Sequence, residues 1–164
     1  MFLSSAVLAD ELSVNAGFGG QAGAGQDNWG GGLDWEFWRH ARSERQFLSI
    51  GAGYTHIRTD AATNKKLSAF SLYPQLTLLA NKRNAWQPYF FVRALGPTFL
   101  SSEKLGEREQ GERFAFQAQV GGGLIAPSED WFVALSYKHF SNAELFSPND
   151  SMEIQFLVTV GKRW

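Results

Sequence analysis

The sequence predicts an all-β protein, and within that class an eight-stranded antiparallel up-and-down transmembrane β-barrel. Three observations carry this reading. Eight segments of roughly ten residues alternate apolar and polar side chains with the period of a half-buried strand. The links between them are marked by Gly, Pro, Asn and Asp, which end strands. The chain also combines 17 Gly with 14 Phe, 6 Trp and 4 Tyr at a mean hydropathy of only −0.24. That mixture fits apolar residues dispersed by alternation.

The strands follow in order. Leu12, Val14, Ala16 and Phe18 alternate with Ser13, Asn15 and Gly17. After Gly19 to Gly25 come Trp29, Leu33, Trp35 and Phe37, interleaved with Asn28, Asp34 and Glu36. Leu48, Ile50, Ala52 and Tyr54 alternate with Ser49, Gly51 and Gly53, and Asp60 to Lys66 forms the next break. Phe70, Leu72, Leu76 and Leu78 make the fourth segment, and Phe90, Val92 and Ala94 with Arg93 the fifth. Phe114, Phe116, Ala118, Val120 and Leu124 alternate with Gln117, Gln119 and Gly121. Trp131, Val133, Leu135 and Tyr137 alternate with Ser136 and Lys138, and Ile154, Phe156, Val158 and Val160 with Gln155, Thr159 and Gly161. No segment keeps a helical repeat over three turns.

Alternation does not say which face meets water. A lipocalin-like carrier is apolar inside; an outer-membrane barrel is apolar outside. The polar face here is rich in Gly, Ser, Gln, Glu, Arg and Lys, which suits a narrow, hydrogen-bonded interior. Aromatics recur near strand ends, at Phe37, Trp38, Trp86, Trp131 and Tyr137, as in interfacial girdles. The final strand closes on Trp164, and Lys162 on its lipid-facing parity is expected to snorkel at the interface. The odd-numbered links read as longer than the even ones, which include Arg39 to Arg45, Asn81 to Ala85 and Pro127 to Asp130. Longer links mark the extracellular side. Polar-face Glu36, Arg93 and Lys138 are expected as interior ion-pair members, with no room for a channel.

With 164 residues, one domain is expected over 10–164. Residues 1–9, Met1 to Ala9, read as a signal-peptide remnant or leader ending in small residues. Fifteen basic residues balance sixteen acidic ones, a net charge of −1 that gives no footprint for nucleic acid. Without cysteine there is no disulfide framework and no thiol catalysis. His40 and His56 stand apart on different segments and read as interfacial or loop residues, so no metal or other cofactor is expected. Gly17 to Gly32 lacks a following Gly-Lys-Ser/Thr and reads as packing and turn glycine. The charge-dense stretch Ser102 to Arg113 reads as a solvated extracellular loop; Lys104 or Arg108 in contact with anionic lipid is the weaker option.

The chemistry concentrates in residues 137–153. His139 and Ser141 lie two apart on a strand, so both project from one face about 7 Å apart. An imidazole at that reach can take the serine proton. The following loop returns Glu153 on the next strand, where a carboxylate can orient the imidazole. The amides of Asn142 and Asn149 are candidate oxyanion donors. Unbroken parity, however, turns Glu153 inward, opposite in phase to Ile154 and Phe156. A bulge, or a site just before the regular ladder begins, would restore it; otherwise Glu144 or Asp150 is the alternative acid.

The run His139-Phe140-Ser141-Asn142-Ala143, then Pro148-Asn149-Asp150 and Glu153, resembles the PagL family of lipid A 3-O-deacylases. Close likeness is confined to about residues 137–153; the rest agrees in length, strand number and alternation. The resemblance implies an eight-stranded outer-membrane barrel that hydrolyses the ester-linked 3-hydroxyacyl chain of lipid A in the outer leaflet, without a cofactor. It implies Ser141 as nucleophile, His139 as base, Glu153 as orienting acid and Asn149 in the oxyanion role, with Asn142 in support. Glu144 stands where the family pattern has a Gly. The implied partners are lipopolysaccharide and outer-membrane lipids, and the apolar wall also offers a homodimer face. The competing readings are a non-catalytic small barrel with a structural or adhesive role, and a soluble lipocalin-like carrier.

Overall fold

A computed structural model describes residues 6–82 and 84–164. The strands are β1 (Ala6–Gly20), β2 (Asp27–Ser43), β3 (Gln46–Thr59), β4 (Lys66–Leu79), β5 (Gln87–Leu100), the two-residue β6 (Lys104–Leu105) and β7 (Arg108–Glu109), β8 (Phe114–Ile125), β9 (Trp131–Ser141) and β10 (Met152–Arg163). Eight of them close a barrel in the order β1-β10-β9-β8-β5-β4-β3-β2, every pair antiparallel, and β6–β7 is a separate hairpin. Closure leaves no open sheet edge, the condition for spanning a bilayer with strands. Part of the expected leader, residues 1–5, lies outside the described residues, whereas Ala6, Val7 and Leu8 continue β1 and pair with His40, Arg39 and Trp38.

The apolar parity faces out. Val14, Phe18, Leu33, Trp35, Leu72, Phe99, Leu135, Phe156 and Val158 are all exposed. In water such a wall would be an aggregation surface; against hydrocarbon it is at rest. The opposite parity is buried and polar. Arg93 lies at the centre, 2.9 Å from the Asp34 carboxylate, donating to Gln75 at 2.7 Å and Gln119 at 3.2 Å, with its guanidinium 3.9 Å from the centre of the Tyr73 ring. Gln75 in turn donates to Glu36 at 2.7 Å. Lys138 departs from the expected ion-pair role: it is fully buried, donates to Thr55 Oγ1 at 3.1 Å and has no carboxylate within 4 Å among the described residues. Lys162 sits between Trp131 and Trp164, 5.6 and 5.5 Å from their rings, at the end bearing the chain termini.

The interior is not polar throughout. At the loop end Ile57, Leu67, Ala69, Leu100, Leu105, Ala115, Phe140, Met152 and Ile154 form a buried apolar plug. Strand alternation conceals Ile57, Leu67, Ala69, Leu100, Ala115 and Phe140 because they share the parity of the polar lining. The links on that end span 21–26, 60–65, 101–113 and 142–151, and the opposite turns 44–45, 80–86 and 126–130. The expected length contrast therefore holds for the last two links on the loop end but not between 60–65 and 80–86.

Candidate active site

The site lies at the loop end of β9 and β10. In β9, alternation buries Ser136, Lys138 and Phe140 and turns Tyr137, His139 and Ser141 outward. In β10 the ladder slips. Ile154 faces Lys138 and Leu157 faces Ser136, so three steps along β10 match two along β9. This is a β-bulge. It puts Ile154 inside the barrel and Phe156 outside, correcting the shared phase that unbroken alternation gives them. Beyond it Glu153 stands directly across from His139, and cross-strand partners share a face. The neighbouring strand accommodates the bulge with glycine. A Cβ on Gly17 would lie 2.2 Å from the Phe156 carbonyl oxygen, and one on Gly19 2.5 Å from Gln155 Cβ.

His139 Nδ1 is 3.5 Å from Glu153 Oε1 and 3.3 Å from the Tyr137 hydroxyl, whose ring stacks at 6.2 Å. Ser151 Oγ donates to the same Oε1 at 3.2 Å. The Glu153 side chain is 8% exposed and the imidazole 29%. With Nδ1 facing the carboxylate and the phenol, Nε2 is the nitrogen left for proton transfer. Ser141 is the next outward residue on β9 and half-buried, though no hydrogen bond links it to the imidazole. Among the described residues, neither alternative acid makes an ion pair or hydrogen bond with the imidazole. Asp150 accepts from the Glu109 amide at 3.1 Å and faces Arg108 at 3.7 Å. Glu144 is exposed at the loop tip with φ of 64°, the left-handed conformation glycine adopts without strain.

The two asparagines divide their work. Asn142 is fully buried, and its amide donates to the carbonyls of Gln110, Phe146 and Pro148 at 2.5, 2.9 and 3.2 Å, so it braces the loop. Asn149 Oδ1 accepts from the Asn142 amide N–H at 2.9 Å, which leaves its NH2 group as a donor.

The β6–β7 hairpin grips this loop from above. Arg108 donates to Ser151 O at 3.1 Å and Gly23 O at 3.2 Å, and Asp150 N donates to Glu109 O at 2.9 Å. Gln21 and Asn28 fasten the Glu153 backbone: its N–H donates to Gln21 Oε1 at 3.1 Å and its carbonyl accepts from Asn28 at 2.9 Å. The charge-dense segment is therefore more than a solvated loop. Leu105 and Gln110 are fully buried, and Lys104 is engaged by Glu109 at 2.8 Å, which raises the ammonium's pKa. The sequence alone assigns no role to Ser151 or Gln21, and points Tyr137 to the interfacial girdle and Arg108 to anionic lipid rather than to the imidazole and the loop. Only Tyr137, two residues before His139 on one face, carried a visible signal. Among the described residues, no three His, Asp or Glu side chains gather as a metal site.

The family model for lipid A 3-O-deacylase (PagL) matches residues 9–160. The chain belongs to this family. A lipid A deacylase PagL of Bordetella bronchiseptica is 36% identical over 67 residues, covering 40% of this chain and 36% of that protein. The match thus spans about a third of the relative's length. The crystal structure of the outer membrane enzyme PagL superposes with a TM-score of 0.68 at 18% identity, over 94% of this chain and 99% of the other. Neisserial surface protein A superposes with a TM-score of 0.64 at 12% identity, over 98% and 99%. These likenesses show the fold. Family and apolar-walled barrel together imply a place in the bacterial outer membrane.

Proposed function

We propose that this PagL-family protein is a serine esterase that removes the 3-O-linked hydroxyacyl chain of lipid A, with its site toward the outer leaflet. The carrying observation is the facing of His139 and Glu153, 3.5 Å apart on the lipid-facing wall, beside Ser141. A lipid-facing position is costly for three polar side chains unless it lies at the headgroup level and has a use. The barrel alone does not decide the matter, since a surface protein shares it. A purely structural barrel gains nothing from this convergence.

In the proposed reaction His139 takes the Ser141 proton as Oγ attacks the acyl carbonyl. The oxyanion is stabilised by the Asn149 amide. His139, now protonated and held by Glu153, protonates the departing sugar oxygen. Water then attacks the acyl-enzyme with His139 as base, releasing the fatty acid and regenerating Ser141. The test is mass spectrometry of lipid A after incubation with detergent-solubilised protein beside Ser141→Ala. Loss of one hydroxyacyl chain with the parent alone is expected. Cleavage by the variant, or none by a folded parent, overturns the reading.

A further inference from the structure

A second polar cluster lies on the lipid-facing wall far from the ester site, over β3 and β4, with β5 and β8 between them and β9. At the loop end Arg58 and Lys66 face each other directly across the two strands, both exposed. The next outward pair down is His56 and Ser68, with Nδ1 and Oγ 3.0 Å apart. Below it Tyr54 and Phe70 pack with ring centres 5.0 Å apart, and the Tyr54 hydroxyl meets the same Ser68 Oγ at 3.1 Å. Arg58 Nε donates to His56 Nε2 at 3.5 Å. Among the described residues neither Arg58 nor Lys66 has a carboxylate within 4 Å. Asp60, two residues beyond Arg58, accepts from the Asp27 amide instead. Ile57 and Leu67, the inward-facing neighbours of the two cations, are buried and apolar and offer them no counter-charge.

Like charges placed opposite each other weaken a strand pair. An anion between them reverses the sign of that interaction. Below the cations runs an open groove of about 420 Å³, whose outward lining includes Ala52, Phe70, Leu72, Pro97, Phe99 and Phe114. It lies where the β4–β5 ladder breaks between Ser71 and Gln75. From the loop end inward the wall thus presents cations, then hydroxyl and imidazole groups, then an apolar trough. That order matches a lipid with a phosphate, a sugar and acyl chains.

We propose that this wall binds a second lipid A molecule, one phosphate between Arg58 and Lys66 and one acyl chain in the groove. The proposal rests on the reading that the loop end lies in the outer leaflet. Tyr54, His56 and Ser68 favour a phosphorylated saccharide over a glycerophospholipid, because they offer partners to sugar hydroxyls between phosphate and chain. His56 has no facing carboxylate, so the site holds lipid without cleaving it.

The experiment is native mass spectrometry of the Ser141→Ala protein in detergent, titrated with lipid A. Two bound lipids are expected. Adding Arg58→Gln and Lys66→Gln should weaken one binding step roughly thirtyfold, from the loss of two cations at a charged lipid surface. Dephosphorylated lipid A should show the same loss with the parent residues in place. Unchanged binding in the double variant overturns the proposal, as does equal binding of phosphatidylglycerol. The same double substitution with Ser141 intact should leave deacylation within about twofold, since it lies outside the ester site. Deacylation without the second lipid sinks this proposal alone. The second lipid without deacylation sinks the esterase reading alone.

Discussion

Glu153 stands directly across the strand pair from His139, its Oε1 3.5 Å from Nδ1, and the bulge between Ile154 and Leu157 puts it there. Counted back from Leu157 on an unbroken ladder, Glu153 would instead face Phe140 and share its inward direction. The same Oε1 accepts from Ser151, so the acid is held from two sides. Its proposed work is to orient the imidazole and stabilise the imidazolium.

Glu153→Gln should keep the fold and lose most of the rate. The amide retains the shape but not the charge, and the analogous loss in a serine triad costs about 10⁴ in kcat. Deacylation followed by mass spectrometry, with KM measured separately, checks this. A KM change with kcat intact would assign Glu153 to binding.

Gly17 is the pressure point of the bulge. An alanine Cβ would press on the Phe156 carbonyl at 2.2 Å and on Leu157 Cα at 2.7 Å, both backbone atoms that cannot rotate away. Gly17→Ala should therefore push β10 outward, costing about 1–3 kcal/mol as overpacking does, and lower kcat through displacement of Glu153. Gly25→Ala is the control, since an added Cβ there meets nothing within 4 Å. Urea unfolding in micelles and turnover, measured on both variants, separate the cases.

Much of this was legible in the sequence, and the exceptions have physical reasons. Period-two alternation locates all eight barrel strands, and His139, Ser141 and Glu153 stand in the motif itself. Alternation carries no information on a bulge, because one inserted residue inverts every later side chain. Ile154 and Phe156 therefore read as partners when they lie on opposite faces. The apolar plug was hidden for a related reason: Leu67 and Phe140 occupy polar-lining positions near the loop end. The grip of Arg108 on Ser151 joins residues 43 positions apart through a loop without periodicity.

Arg93 holds the barrel interior. It is the only cation within 4 Å of the Asp34 carboxylate among the described residues, at 2.9 Å. Arg93→Ala leaves that carboxylate buried and unpaired, which costs about 3–5 kcal/mol. Urea unfolding should show the loss. A double Arg93→Leu, Asp34→Leu variant should recover a large part of it, because removing both partners removes the uncompensated charge.

Glu144 marks a place where glycine serves better. Its φ of 64° and exposed side chain mean that the residue bears left-handed backbone strain without a packing return. Glu144→Gly should raise stability by about 0.5–1 kcal/mol, the relief of strain less the added freedom of the unfolded chain. Deacylation should stay unchanged, because among the described residues no ion pair or hydrogen bond joins this carboxylate to His139. A fall in activity would give the loop carboxylate a part in substrate handling.

Arg108 is expected to act on the site through the loop. Its guanidinium joins three partners from two links, Gly23 O, Ser151 O and the Asp150 carboxylate. Asp150 and Ser151 lie between Asn149 and Glu153 in the chain, so Arg108 is placed to position both the proposed oxyanion donor and the proposed acid. Arg108→Ala should lower kcat by about tenfold to a hundredfold, the cost of a displacement near 1 Å at the reacting centre, with KM changed less. Arg108→Lys should recover little, because one ammonium cannot reproduce a planar fork that spans two carbonyls and a carboxylate. Steady-state kinetics on folded protein decide it. A parallel fall in kcat and unfolding free energy, with full rescue by lysine, would reduce Arg108 to a general surface ion pair.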